Sequence, residues 1–144
     1  MSNTRKFEVL LEIAEKLNQD IGSVPVLYGS LGLSRAIEVD LQTDDIDILI
    51  EDCIFSERLS YIHGLMEELG FTLTDPEENE FRRGTTKVGI ASDGDMLSFS
   101  GVDPLSLAVE SSAAKFRVLS PEQYLATYKA SSLDGYRKKC TQER

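Results

Sequence analysis

The sequence predicts an α/β fold of the α+β type, a mixed β-sheet flanked by helices, as a single domain over residues 1–144. Three observations predict it. Apolar residues recur at helical spacing in two long stretches. Short β-branched runs alternate with helical segments in the first half, and a cluster of strand-like runs follows in the second. No repeat, low-complexity tract or Pro/Gly/Ser-rich linker divides the chain.

The elements follow in order. Phe7, Leu10, Leu11, Ala14, Leu17 and Ile21 make one stripe, so residues 4–20 read as an amphipathic helix with Asn3 or Thr4 as N-cap. Gly22, Ser23 and Pro25 break it, and the apolar run 24–28 reads as a buried strand ending at Gly29-Ser30. A short helix over 31–37 and a strand over 45–50, rich in isoleucine, come next. Ser56 is the expected cap of a helix striped by Leu59, Ile62, Leu65, Met66 and Leu69 and stopped by Gly70. Strands are expected over 71–74, 81–90 and 95–100, the last two joined by a tight hairpin turn at Asp93-Gly94. Residues 104–110 suggest a helical turn and 116–119 a final strand. Ser120, Pro121 and Gln123 then supply an N-cap, a proline at the first helical position and a capping-box partner for a C-terminal helix that Gly135 interrupts or ends.

The 144 residues suffice for a self-sustaining core. Lys and Arg number 15 against 25 Asp and Glu, a formal charge of −10. That balance argues against non-specific nucleic-acid binding, whose affinity comes from Lys and Arg on phosphates. Two distant cysteines, Cys53 and Cys140, imply neither a disulfide framework nor a zinc knuckle, and a reducing cytoplasm is the expected location. No run is long and apolar enough for a membrane span, so no membrane association is expected. His63 is the sole histidine and borders the stripe of its helix, which suits a packing role. Phosphate-loop, dinucleotide-fold and EF-hand spacings are all absent.

The most informative segment is Leu27-Tyr28-Gly29-Ser30, followed after 14 residues by Asp45-Ile46-Asp47. On a strand, residues two apart share a face, so both aspartates project together, opposite Ile46, Ile48 and Ile50. Two convergent carboxylates suit Mg²⁺, which completes its shell with water and substrate phosphates. Gly29 permits close approach of a triphosphate to the backbone, and Ser30 with the following helix N-terminus offers donors. Taken singly, an ordinary capped turn explains Gly29-Ser30 and a solvated strand end explains the aspartates. The acid density tips the balance: Glu38, Asp40, Asp44, Asp45, Asp47, Glu51, Asp52 and Glu57 lie in a stretch without Lys or Arg, and such charges repel unless solvated or bridged by a cation.

These residues resemble the signature of nucleotidyltransferases of the DNA polymerase β superfamily, Gly-Ser after an apolar residue and then acid-x-acid on a strand. Over most of its length the chain also resembles a group of small bacterial proteins carrying LYGSLGL, DDIDILI and a C-terminal motif, here at 27–33, 44–50 and 122–137. Some of that group carry a phosphoribosylanthranilate isomerase label, which does not suit this length, because that enzyme's barrel needs at least about 200 residues. The resemblance implies a nucleotidyltransferase-like fold and transfer of a nucleoside monophosphate from an NTP to an acceptor, with Asp45 and Asp47 holding Mg²⁺. It also implies a third catalytic carboxylate on a neighbouring strand, for which Asp95 is the first choice and Asp93 and Asp103 the others. Phosphate partners would come from Gly29, Ser30, Arg35, Lys129 and Arg137, among basic residues that also include Arg82, Arg83, Lys87 and Lys138.

The acceptor is expected to be a small molecule or a protein rather than a long nucleic acid, given the acidic balance. A second reading is a catalytically degenerate protein that binds a nucleotide or a partner, in the manner of a toxin–antitoxin pair. A third is a scaffold whose acids serve solubility only.

Overall fold

A computed structural model describes residues 2–43 and 45–127. Its first helix, α1 (Asn3–Ile21), leads through a glycine cap at Gly22 into strand β1 (Val26–Tyr28), helix α2 (Gly29–Ile37) and strand β2 (Ile46–Ile50). Helices α3 (Asp52–Glu57) and α4 (Leu59–Glu68) follow, then strands β3 (Thr72–Asp75), β4 (Glu80–Arg83) and β5 (Thr86–Ser92). A short helix α5 (Met96–Ser100) and a 3₁₀ turn (Pro104–Ser106) connect to the hairpin of β6 (Ala108–Ser111) and β7 (Lys115–Val118). Residues 121–127 open a further helix.

The described strands form one seven-stranded sheet in the order β3-β4-β5-β2-β1-β7-β6. It is mixed: β2 runs parallel to β5 and β1 parallel to β7, and the other neighbours are antiparallel. Strand pleating divides the residues between two faces. Leu27, Ile46, Ile48, Ile50, Val88 and Ile90 pack on one side against the stripes of α1 and α4 in the larger core. Val26 and Leu49 point the other way, into a smaller cluster with Leu33, Met96, Leu119 and Tyr124. That second cluster covers only part of its face, and the uncovered end is where Asp45 and Asp47 emerge.

Local chemistry sets most boundaries as expected and shifts a few. Ser2, not Asn3 or Thr4, caps α1 by accepting the Arg5 N–H. Asn3 instead ties down the acidic loop after α2, donating to the Asp40 carboxylate at 2.7 Å and to the Leu41 carbonyl at 2.8 Å. Buried Lys6 donates to the carbonyl and hydroxyl of Thr43, so the segment leading to Asp45 is anchored on α1. Ser56 does not cap α4; its hydroxyl bonds back to the Asp52 carbonyl within α3. The capping box at Ser120 forms reciprocally, with the Ser120 N–H on Gln123 Oε1 at 2.9 Å and the Gln123 N–H on Ser120 Oγ at 3.2 Å.

The hairpin is the substantive correction. The expected strand over 81–90 is two strands, β4 and β5, turning at Gly84, whose φ of +62° suits a glycine. The expected strand over 95–100 is helix α5. Its cause is topological, since β5 already pairs with β4 on one edge and β2 on the other, leaving no edge for a strand returning at Asp93-Gly94. That turn does other work: the Asp93 carboxylate accepts the Asp52 N–H at the start of α3, and the Gly94 N–H bonds Ser92 Oγ. Among the described residues no helix is long and apolar enough to cross a membrane.

Candidate functional site

Strand register builds the site. Tyr28 on β1 lies opposite Asp47 on β2, Asp47 opposite Gly89 on β5, and Gly89 opposite Glu80 on β4, so these four residues form one row across the sheet on one face. A cleft of about 570 Å³ opens over that row, lined by Tyr28, Gly29, Ser30, Asp45, Asp47, Glu78, Glu80, Gly89 and Thr127, among others. The glycine bend and the paired aspartates therefore share one cavity.

Asp47 sits between two glycines. Gly29 has φ +68°, and a methyl group there would lie 2.3 Å from Asp47 Oδ2. On the opposite side, a methyl on Gly89 would lie 3.3 Å from Asp47 Oδ1. The left-handed backbone at Gly29 turns β1 directly into α2 and leaves room for the carboxylate underneath. Burial, and next the negative charge of Asp45, push the Asp47 carboxyl up to about 6. A half-buried carboxylate with a like-charged neighbour is a common feature of cation and catalytic sites.

Positive charge arrives from β5. Lys87 Nζ stands 3.8 Å from Asp45 Oδ2 and 3.4 Å from Glu80 Oε2. Tyr28, half-buried at the mouth of α2, has its phenol pushed upward chiefly by burial, with a hydrogen bond to Thr127 acting in the opposite sense. Among the described residues no group of three or more His, Cys, Asp or Glu side chains is arranged to hold a metal. The donors present are thus two carboxylates on one face with open space before them, which fits a hard divalent ion that takes most of its shell from water and phosphate.

The other sequence candidates separate. Asp45, Asp47, Gly29 and Ser30 come together in the cleft. Asp95 does not: it follows the C-terminal end of β5 and stands at the N-cap of α5, whereas Asp45 and Asp47 lie at the start of the parallel neighbour β2. Asp93 serves α3, and Asp103 caps the 3₁₀ turn by accepting the Leu105 N–H. Arg35 points away from the cleft, paired to Glu110 at 2.7 Å and stacked over Phe7. Arg83 is likewise structural, bound to Glu12 and laid over Phe71. His63 bonds Asn79 and packs edge-on against Phe81. Lys129, Arg137 and Lys138 lie outside the described residues.

The acidic run divides as well. Glu51 accepts from Ser23 Oγ and the Val24 N–H, Asp52 from Ser92 Oγ, and Asp40 from Asn3. Sequence reasoning passed over Glu80, Gly89 and Glu78. The available signal was Gly84 within 81–90: a turn there makes a hairpin and sets Glu80 beside Gly89.

No protein-family model matches the chain. It is 36% identical over 134 residues to the uncharacterised protein YnaI of Bacillus subtilis, an alignment covering 92% of this chain and 86% of that protein. Its fold is similar to the crystal structure of a "putative nucleotidyltransferase" from Thermotoga maritima, with a TM-score of 0.61 at 22% identity, over 100% of this chain and 97% of that one. The architecture is accordingly nucleotidyltransferase-like, and by its sequence the chain belongs to the family of Bacillus subtilis YnaI.

Proposed function

We propose that the protein is a metal-dependent nucleotidyltransferase of the DNA polymerase β superfamily that moves a nucleoside monophosphate from an NTP to an acceptor. The observation that carries this reading is the Asp47 carboxylate seated between Gly29 and Gly89, beside Asp45 and beneath the Ser30 turn. Asp45 and Asp47 would hold Mg²⁺, which supplies charge neutralisation for the phosphates and the developing pyrophosphate. Gly29 brings the backbone at the start of α2 within reach of phosphate oxygens, and Ser30 adds a hydroxyl donor on the same turn. In the transfer the acceptor oxygen bonds the α-phosphorus while the bond to the αβ-bridging oxygen breaks. Pyrophosphate leaves with that electron pair, and the acceptor proton passes to a carboxylate or water.

The further carboxylate that the sheet brings to the same row is Glu80, whose side chain pairs with Lys87. The net charge of −10 and the acidic rim of Glu78 and Glu80 favour a small or cationic acceptor over a long nucleic acid. One observation favours a second reading, a degenerate binder of nucleotide or partner: among the described residues that line the cleft there is no Lys or Arg.

A melting scan with each NTP, with and without Mg²⁺, tests the proposal. A ligand at a hundred times its dissociation constant adds about 2.7 kcal/mol. A shift that needs both NTP and Mg²⁺, and that disappears in Asp45→Asn and Asp47→Asn, is expected. No shift with any NTP overturns the reading. NTP-dependent stabilisation without pyrophosphate release across a panel of acceptors favours the degenerate binder.

A further inference from the structure

Lys87 is the basic side chain that the described structure brings against the candidate metal carboxylates, and its neighbours make its position specific. The β2–β5 register sets it beside Asp45, and the β4–β5 hairpin sets Glu80 within reach on its other side. Its ammonium is 3.4 Å from Glu80 and 3.8 Å from Asp45, so its closer partner is Glu80 and not the candidate metal ligand. The three side chains are 26–34% exposed, which leaves their interaction only partly screened. A divalent ion on Asp45 and Asp47 would meet this ammonium, because two cations cannot share the Asp45 carboxylate without repulsion.

We propose that Lys87 is the site's resident counter-cation, neutralising Asp45 until a divalent ion displaces it and then being retained by Glu80. This rests on the reading of the cleft as a metal–nucleotide site and assigns it a regulating pair. Lys87 sets how tightly the metal is held, and Glu80 acts through Lys87 as a positioning residue. The two substitutions that break the pair therefore act in opposite directions. Without Lys87 the aspartates lose a competitor. Without the Glu80 charge, Lys87 is left to Asp45 alone.

The test is Mn²⁺ binding to the full chain at neutral pH, followed by electron paramagnetic resonance of the free ion, with melting curves to verify folding. Lys87→Met is expected to bind Mn²⁺ about two- to fivefold tighter and Glu80→Gln about two- to fivefold weaker, the scale of a partly exposed ion pair. In the double variant most of the Glu80→Gln effect should vanish, because its intermediary is gone. Lys87→Arg, which keeps the charge, should stay near wild type. Wild-type binding that is unchanged or weakened by Lys87→Met overturns the proposal while leaving the metal site intact. A full Glu80→Gln effect in the double variant also overturns it, since Glu80 would then act on the metal directly. If wild type binds Mn²⁺ no better than Asp47→Asn does, the functional reading falls together with the proposal.

Discussion

Replacing Asp47 by Asn should stabilise the protein at neutral pH, the opposite of what most substitutions at half-buried polar positions do. The carboxyl is raised from 3.8 to about 6, first by burial and second by Asp45. A group whose folded-state pKa is raised binds more protons folded than unfolded between those two values, so its contribution to stability falls as pH rises from about 4 to about 6. Two units at 1.36 kcal/mol each give a cost of up to about 3 kcal/mol above pH 6, reduced by whatever solvent reaches the cleft. The asparagine variant carries no such charge. Urea titrations of both proteins from pH 4 to 8 read the difference directly. The variant's advantage should be smallest at pH 4 and grow by about 2–3 kcal/mol before levelling off above pH 6, corresponding to roughly 6–9 °C in melting temperature. A constant offset from the amide's own hydrogen bonding does not matter, because the pH dependence of the difference is the signal. A difference that is flat across this range, or that grows towards acid, would refute the argument that Asp47 is held in a desolvated, acid-flanked position.

Gly29→Ala should destabilise the fold by about 2 kcal/mol or more, since left-handed backbone costs a side chain about 1–2 kcal/mol and the new methyl would meet Asp47 Oδ2. In combination with Asp47→Ala much of the collision disappears, so chemical denaturation should show the two changes to be non-additive. Tyr124→Phe removes a buried hydroxyl that donates to the Leu27 carbonyl at 2.7 Å, and should cost about 1–2 kcal/mol in the same measurement.

How much of this was legible in the sequence depends on how local each signal is. The β1–α2–β2 unit was readable because Gly29, the Leu31 and Leu33 positions and the alternation through Ile46, Ile48 and Ile50 each act within a few residues. The same holds for the capping box at Ser120 and Gln123. Asp45 and Asp47 were expected on one face from strand pleating, and the sheet puts that face beside Gly29. The failures are non-local. Asp93-Gly94 and Gly84-Thr85 are comparable turn signals, and the choice between them is made by which edges of β5 the neighbouring strands have taken. Misplacing that turn carried Asp95 into the site on paper and left Glu80 out. Arg35 was read as a phosphate partner from its position after Ser30, but Glu110 and Phe7, distant in sequence, claim it.

On the proposed function, one cleft grips a divalent ion through Asp45 and Asp47 and a triphosphate through the Gly29 bend. A crystal structure of the protein grown with Mn²⁺ and a non-hydrolysable NTP, with the ion located by anomalous scattering, decides whether it does. Manganese bound by both aspartates, with phosphate oxygens at the start of α2, is the predicted result. Nucleotide seated instead in the separate cavity beside Arg35 and Tyr124, with no ion on Asp45 or Asp47, would contradict it.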